Sequence, residues 1–218
     1  MEKIKFLDYW MPNYNRNDFQ NILIENTISL WKLERERLSS FASHVQQFFE
    51  NTFFKGKDLL PLNIAIAEAC NNILDHSESK AGGFILTQYY KKDDLLIVSI
   101  CDFGVGIPKK INDFRAKNNE PKLKPCKAIE KALEKKYTTK SAPHNAGLGL
   151  DNIFSNVKET KGRLLIVSKN GCISKRIGET DVEEEMKAQF PGTHLVISLG
   201  TKALNEKEKE IAEEIDLF

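Results

Sequence analysis

The sequence predicts one α/β domain with an N-terminal extension, and three observations carry that prediction. Leu38, Phe41, Val45, Phe48 and Phe49 recur at helical spacing over about 35–54. A nearly continuous apolar stretch follows from Pro61 to Ser77, with the proline placed to serve a first helical turn. Then come two segments rich in β-branched and aromatic residues, Phe84–Tyr90 and Leu95–Asp102, joined by the polar turn Lys91–Asp94.

The remaining elements are justified in order. Residues 1–34 carry Phe6, Trp10, Ile22, Ile24, Ile28, Leu30 and Trp31 around a turn at Pro12, Asn13 and Asn15, which fits a short strand followed by a helix. The helix from Pro61 is apolar almost all round, the mark of a buried helix. A lysine-rich stretch over 109–146 holds eleven Lys/Arg against four Asp/Glu and includes a short helix near 125–136. Gly147–Thr160 reads as a helix entered through glycines. Arg163–Ser168 and Cys172–Arg176 read as a hairpin around Asn170-Gly171. The acidic connection Glu179–Met186 leads to a last strand, Thr193–Leu199. The tail 201–218 is charged, with Ile211, Ile215 and Leu217 at helical spacing.

Composition narrows the function classes. The chain has 218 residues, 41% hydrophobic and 29% charged, which excludes wholesale disorder. A net charge of +1 argues against a globally basic nucleic-acid protein. No apolar run reaches the roughly 18–20 residues that span a bilayer, and MEKIKFLDYW lacks the apolar core of a signal peptide. Cys70, Cys101, Cys126 and Cys172 form no Cys-x-x-Cys pair, so reduced thiols in a cytoplasmic protein are expected rather than zinc.

Four short patterns carry chemistry. Glu68 and Asn72 are four apart on the apolar helix and share a face, which Asp75 and His76 continue; Asn71 is a rival to Asn72. Polar groups on a buried helix need partners. Asp102-Phe103-Gly104-Val105-Gly106 ends a strand, and its two glycines let backbone come close to another group. Gly147-Leu148-Gly149-Leu150 opens a helix, where free N–H groups and the dipole suit a phosphate. Pro191-Gly192-Thr193 starts the last strand. Three other motifs do not fit. A protein-kinase set lacks its glycine loop and catalytic loop, a dinucleotide fingerprint would need glycine where Lys109 stands, and no phosphate-loop pattern is present.

In this order, from about residue 37 to 200, the four patterns resemble the GHKL superfamily of ATPases. Within it, Glu68-Ala69-Cys70-Asn71-Asn72-Ile73-Leu74-Asp75-His76 is most similar to stand-alone domains of the anti-sigma-factor serine-kinase type. The resemblance implies a Bergerat fold: a two-layer α/β sandwich, its sheet mixed and mostly antiparallel, with helices on one face. It implies an ATP-binding domain over 35–200, flanked by the 1–34 extension and the 201–218 tail. ATP and Mg²⁺ are the cofactors it implies. Asn72 would ligate Mg²⁺, Glu68 would be the catalytic base or water-positioning group, and Asp102 would accept the adenine amino group. Gly104 and Gly106 would pass beneath base and sugar, and Thr193 would complete the adenine contact. Gly147, Leu148 and Gly149 would present N–H groups to the phosphates. The 109–146 segment would be the ATP lid, with Lys140 of Thr138-Thr139-Lys140 reaching a terminal phosphate.

The chain departs from complete histidine kinases and from gyrase-like machines. His44 lacks the adjacent acidic residue of a phosphoacceptor, and no transducer domain follows Leu199. A slow ATPase or serine protein kinase acting on a partner protein in signalling is expected, or else a non-catalytic module that ATP gates. No membrane or nucleic-acid partner is expected, and the resemblance leaves a homodimer open.

Overall fold

A computed structural model of the chain describes residues 26–134 and 149–207, the side chains of Arg35 and His76 aside. In chain order the elements are β1 (Thr27–Lys32), α1 (Leu38–Thr52), α2 (Leu60–His76), β2 (Gly83–Tyr90), β3 (Leu95–Asp102), α3 (Ile107–Lys117), α4 (Pro125–Leu133), α5 (Gly149–Glu159), β4 (Arg163–Arg176) and β5 (Val182–Gly200). The protein is α/β: among the described residues five strands make one sheet in the order β1-β2-β3-β5-β4, and every pairing is antiparallel where a mixed sheet was expected.

The sheet buries one set of alternate residues. Leu96, Val98 and Ile100 of β3, Leu164 and Ile166 of β4, and Leu195, Ile197 and Leu199 of β5 are buried, while their neighbours in sequence are half-buried or, at Arg163, exposed. The α1 stripe of Leu38, Phe41, Ala42, Val45 and Phe49 and the α2 stripe of Leu62, Ala65, Ile66, Ala69, Cys70 and Ile73 join the same core. Each such large side chain contributes about 1.5–3 kcal/mol on burial. Glu50 is a buried exception on α1. Its carboxylate accepts hydrogen bonds from Gln46 Nε2 (3.0 Å), the Leu59 N–H (3.2 Å) and Lys207 Nζ (2.6 Å), tying α1 to the start of α2.

Four expectations change. In the described part of the extension a strand lies at 27–32 and pairs with β2, so it belongs to the sheet, while the turn at Pro12, Asn13 and Asn15 and a helix before residue 26 fall outside the described residues. Helix α2 is not buried all round: Leu60 and Ile64 near its start are exposed, although its other faces meet the sheet, α1 and α5. The lysine-rich stretch begins with an unforeseen helix, α3, entered through Pro108 in its first turn.

The fourth change is the largest. Asn170-Gly171 is not a turn; β4 continues through it with an irregularity, since Lys169 pairs with Phe190 and Gly171 with Glu185, and the chain reverses at 177–181. The acidic segment after it is therefore strand, with Glu183, Glu184 and Glu185 paired to Ile173, Cys172 and Gly171. Gly171 is needed for another reason. A Cβ there would sit 2.9 Å from the Pro125 carbonyl carbon and 3.0 Å from the Cys126 nitrogen, because the start of α4 presses on the strand.

Candidate functional site

Asp102 occupies an inward register position at the end of β3, in phase with Leu96, Val98 and Ile100. It is a carboxylate where the pattern calls for an apolar residue, and it is 2% exposed. Oδ1 accepts the Gly104 N–H at 2.6 Å, and the Thr193 N–H also donates to the carboxylate. Burial pushes its pKa up; those two backbone donors and the Lys169 charge oppose the rise without cancelling it.

The glycine loop after Asp102 is pinned on two sides. The Val105 N–H donates to the Ser77 carbonyl, one residue beyond α2, at 2.8 Å. A Cβ on Gly104 would lie 1.8 Å from that same carbonyl oxygen, and Gly106 takes φ +78° before the chain enters α3. On the other side, the Ile107 N–H donates to Ser168 Oγ at 2.9 Å. Ser168 is wholly buried; its Oγ donates to the Gly192 carbonyl (2.9 Å) and lies 3.0 Å from Thr193 Oγ1. Lys169 Nζ donates to the Gly104 carbonyl (3.4 Å) and to the Pro191 carbonyl.

The last strand reaches this loop through an irregularity. Ser168 pairs with Thr193 while Lys169 pairs with Phe190, so Pro191 and Gly192 are extra on β5 and bulge toward Asp102. Proline is tolerated there because a bulge leaves its nitrogen outside the ladder.

The structure therefore brings Asp102, Gly104, Gly106 and Thr193 together at one end of the sheet. Glu68 and Asn72 lie on one half-buried face of α2, the helix whose C-terminal end meets the loop. Asn72 is about 7.5 Å of helix rise before Ser77. Its Nδ2 is buried with no hydrogen-bond partner among the described residues. Burial pushes the Glu68 carboxyl up. Gly149 opens α5, which packs against α2. Lys140, Gly147 and Leu148 lie outside the described residues.

The lid expected over 109–146 is described only to residue 134. Within its described part, α4 buries Cys126, Ala128 and Ile129 and packs against β4. Five of the eight Lys/Arg over 109–134 are ion-paired: Lys109 with Asp113, Lys110 with Glu78, Arg115 with Glu120, Lys127 with Glu130 and Glu183, and Lys131 with Glu134. Such exposed pairs are worth little in stability, and the stretch keeps its excess of positive charge.

Sequence reasoning missed Ser168 and Lys169. The signal was present: after Leu164 and Ile166, the next inward position of β4 is a serine. Among the described residues no group of three or more His, Cys, Asp and Glu could hold a metal ion. A magnesium ion held by one amide oxygen, with phosphate and water oxygens completing its shell, needs no such group. No protein-family model and no curated protein matches the chain.

Proposed function

We propose that this chain is a Mg·ATP-binding domain of the GHKL type with a Bergerat sandwich, acting as a slow ATPase or as a protein serine kinase on a partner protein. The observation that carries the reading is the buried Asp102 carboxylate held between a glycine loop and Thr193. A carboxylate has about four acceptor sites, so two backbone donors leave room for an exocyclic amino group. Because Asp102 is so enclosed, a base reaches it by widening the gap between Gly104 and Gly192.

Asn72 fits the magnesium role through chemistry. Its Oδ1 is the atom that could ligate the metal, and its buried Nδ2, which has no partner among the described residues, could donate to a phosphate oxygen. Magnesium, when bound, neutralises phosphate charge. Glu68, with its pKa raised by burial, is closer to the range in which a carboxylate takes and returns a proton. One helix thus supplies both polar groups, and α5, opened by Gly149, packs beside it.

Titration calorimetry with Mg²⁺ and ATP, ADP or GTP tests the binding claim. Selective binding of the adenine nucleotides is expected, and equal affinity for GTP would remove the adenine contact. Incubation with γ-labelled ATP, alone and with cell lysate, separates the activities. Free phosphate marks an ATPase and a labelled serine on a partner marks a kinase. Binding with neither product would leave an ATP-gated module in their place.

A further inference from the structure

Ser168 is the hub of the site, and its single hydrogen settles the polarity of Thr193. The Ile107 N–H can only donate, so Ser168 Oγ accepts from it at 2.9 Å. The Gly192 carbonyl can only accept, so the one Ser168 hydrogen goes to it, also at 2.9 Å. The remaining contact, 3.0 Å to Thr193 Oγ1, then has Thr193 as donor. The Thr193 hydrogen is thereby used within the protein, and the hydroxyl of this half-buried residue has only lone pairs left for any other partner. Asp102, which receives the Thr193 N–H, is likewise an acceptor while ionised.

We infer that Ser168 is a positioning residue that leaves the Thr193 hydroxyl and the Asp102 carboxylate an acceptor-only pair, which selects a ligand edge bearing an amino donor and rejects one bearing a carbonyl there. The inference rests on the nucleotide reading above and goes further, since it names the residue that sets base discrimination. Ser168 touches no ligand; it acts by using up the Thr193 hydrogen. Without it, the Thr193 hydroxyl is free to rotate and donate, and a carbonyl edge becomes acceptable. A buried polar group facing its own kind is left unpaired, which is why such a surface discriminates more strongly than shape alone.

The test compares ATP with inosine triphosphate, in which a carbonyl replaces the amino group and N1 gains a hydrogen, and with purine riboside triphosphate, which lacks the amino group but keeps N1 as an acceptor. Titration calorimetry is run on wild type, Ser168→Ala and Thr193→Val, with the urea midpoint of each recorded to establish folding. Wild type is expected to prefer ATP. Ser168→Ala is expected to reduce the ATP-to-inosine-triphosphate affinity ratio by on the order of tenfold, chiefly through tighter binding of the carbonyl nucleotide. Thr193→Val keeps the shape and does not depend on Ser168→Ala folding. It is expected to weaken ATP while leaving inosine triphosphate unchanged, and Ser168→Ala added to it should move the ratio no further. Failure of wild type to bind ATP removes the nucleotide reading together with this inference. ATP preference that survives Ser168→Ala, or a Thr193→Val loss shared equally by both nucleotides, overturns the Ser168 role alone.

Discussion

Gly104→Ala places one methyl group where the fold has no room for it. The new Cβ would lie 1.8 Å from the Ser77 carbonyl oxygen, 2.5 Å from the Ser77 carbonyl carbon and 2.9 Å from Asp102 Oδ1. Contacts of Cβ atoms below 3.0 Å essentially do not occur. The nearest obstacle is backbone, so it cannot rotate away as a side-chain end would. The loop must lift from the end of α2, and two hydrogen bonds go with it: Val105 N–H to Ser77 at 2.8 Å and Gly104 N–H to Asp102 at 2.6 Å. The first is worth about 0.5–1.5 kcal/mol and the second, to a buried charge, about 1.5–3 kcal/mol. A loss of about 3 kcal/mol follows, which for a domain of this size lowers Tm by about 6–12 °C. Urea titration followed by circular dichroism measures it, and nucleotide affinity should fall in parallel as Asp102 loses its loop. A Gly104→Ala protein within about 0.5 kcal/mol of wild type would show that the loop is not packed on Ser77, and the argument built on that contact would go with it.

Other outcomes follow from the same geometry. Asn72→Ala should weaken Mg²⁺-dependent nucleotide binding, whereas Glu68→Ala should spare binding and lower turnover by about 10²–10⁴-fold, as separate calorimetric and phosphate-release assays would show. Asp102, with its folded pKa raised, contributes stability that is fully present below the unfolded value of 3.8 and lost as pH rises through the higher folded value; Asp102→Asn should flatten that part of the stability–pH curve. Glu50 behaves in the opposite sense. Burial alone would raise its pKa, but bonds from Lys207, Gln46 and Leu59 hold it low, so its contribution is present above the ordinary value of 4.5 and lost as pH falls through the lower folded one. Lys207→Ala should therefore reduce acid sensitivity in that window, measured by urea midpoints between acidic and neutral pH. Ile129→Ala, at a wholly buried position under α4, should cost about 2–5 kcal/mol, and amides of Ala128 and Ile129 should exchange slowly with or without nucleotide.

Helices α1 and α2 and strands β2 and β3 are legible in the sequence because their information is local. Each shows its period within one window, and each faces one core. Asp102, Gly104, Gly106 and Thr193 stand out for the same reason, as polar or glycine residues interrupting apolar segments. Their union at one end of the sheet was not local. It depends on the register between β3 and β5 and on the bulge of Pro191 and Gly192, set by pairings between residues far apart in the chain. Asn170-Gly171 shows the limit most plainly. Its dipeptide has the torsional freedom of a turn, yet β5 continues the ladder past it, and the glycine serves the close approach of α4 instead. Ser168 is a strand residue of no distinction until Ile107, Gly192 and Thr193 arrive around its hydroxyl. Sequence alone determines which segments can form helix or strand and which residues can carry charge or bend. Which donors meet which acceptors is decided by tertiary structure, because one hydroxyl hydrogen can go to only one partner and the packing chooses it.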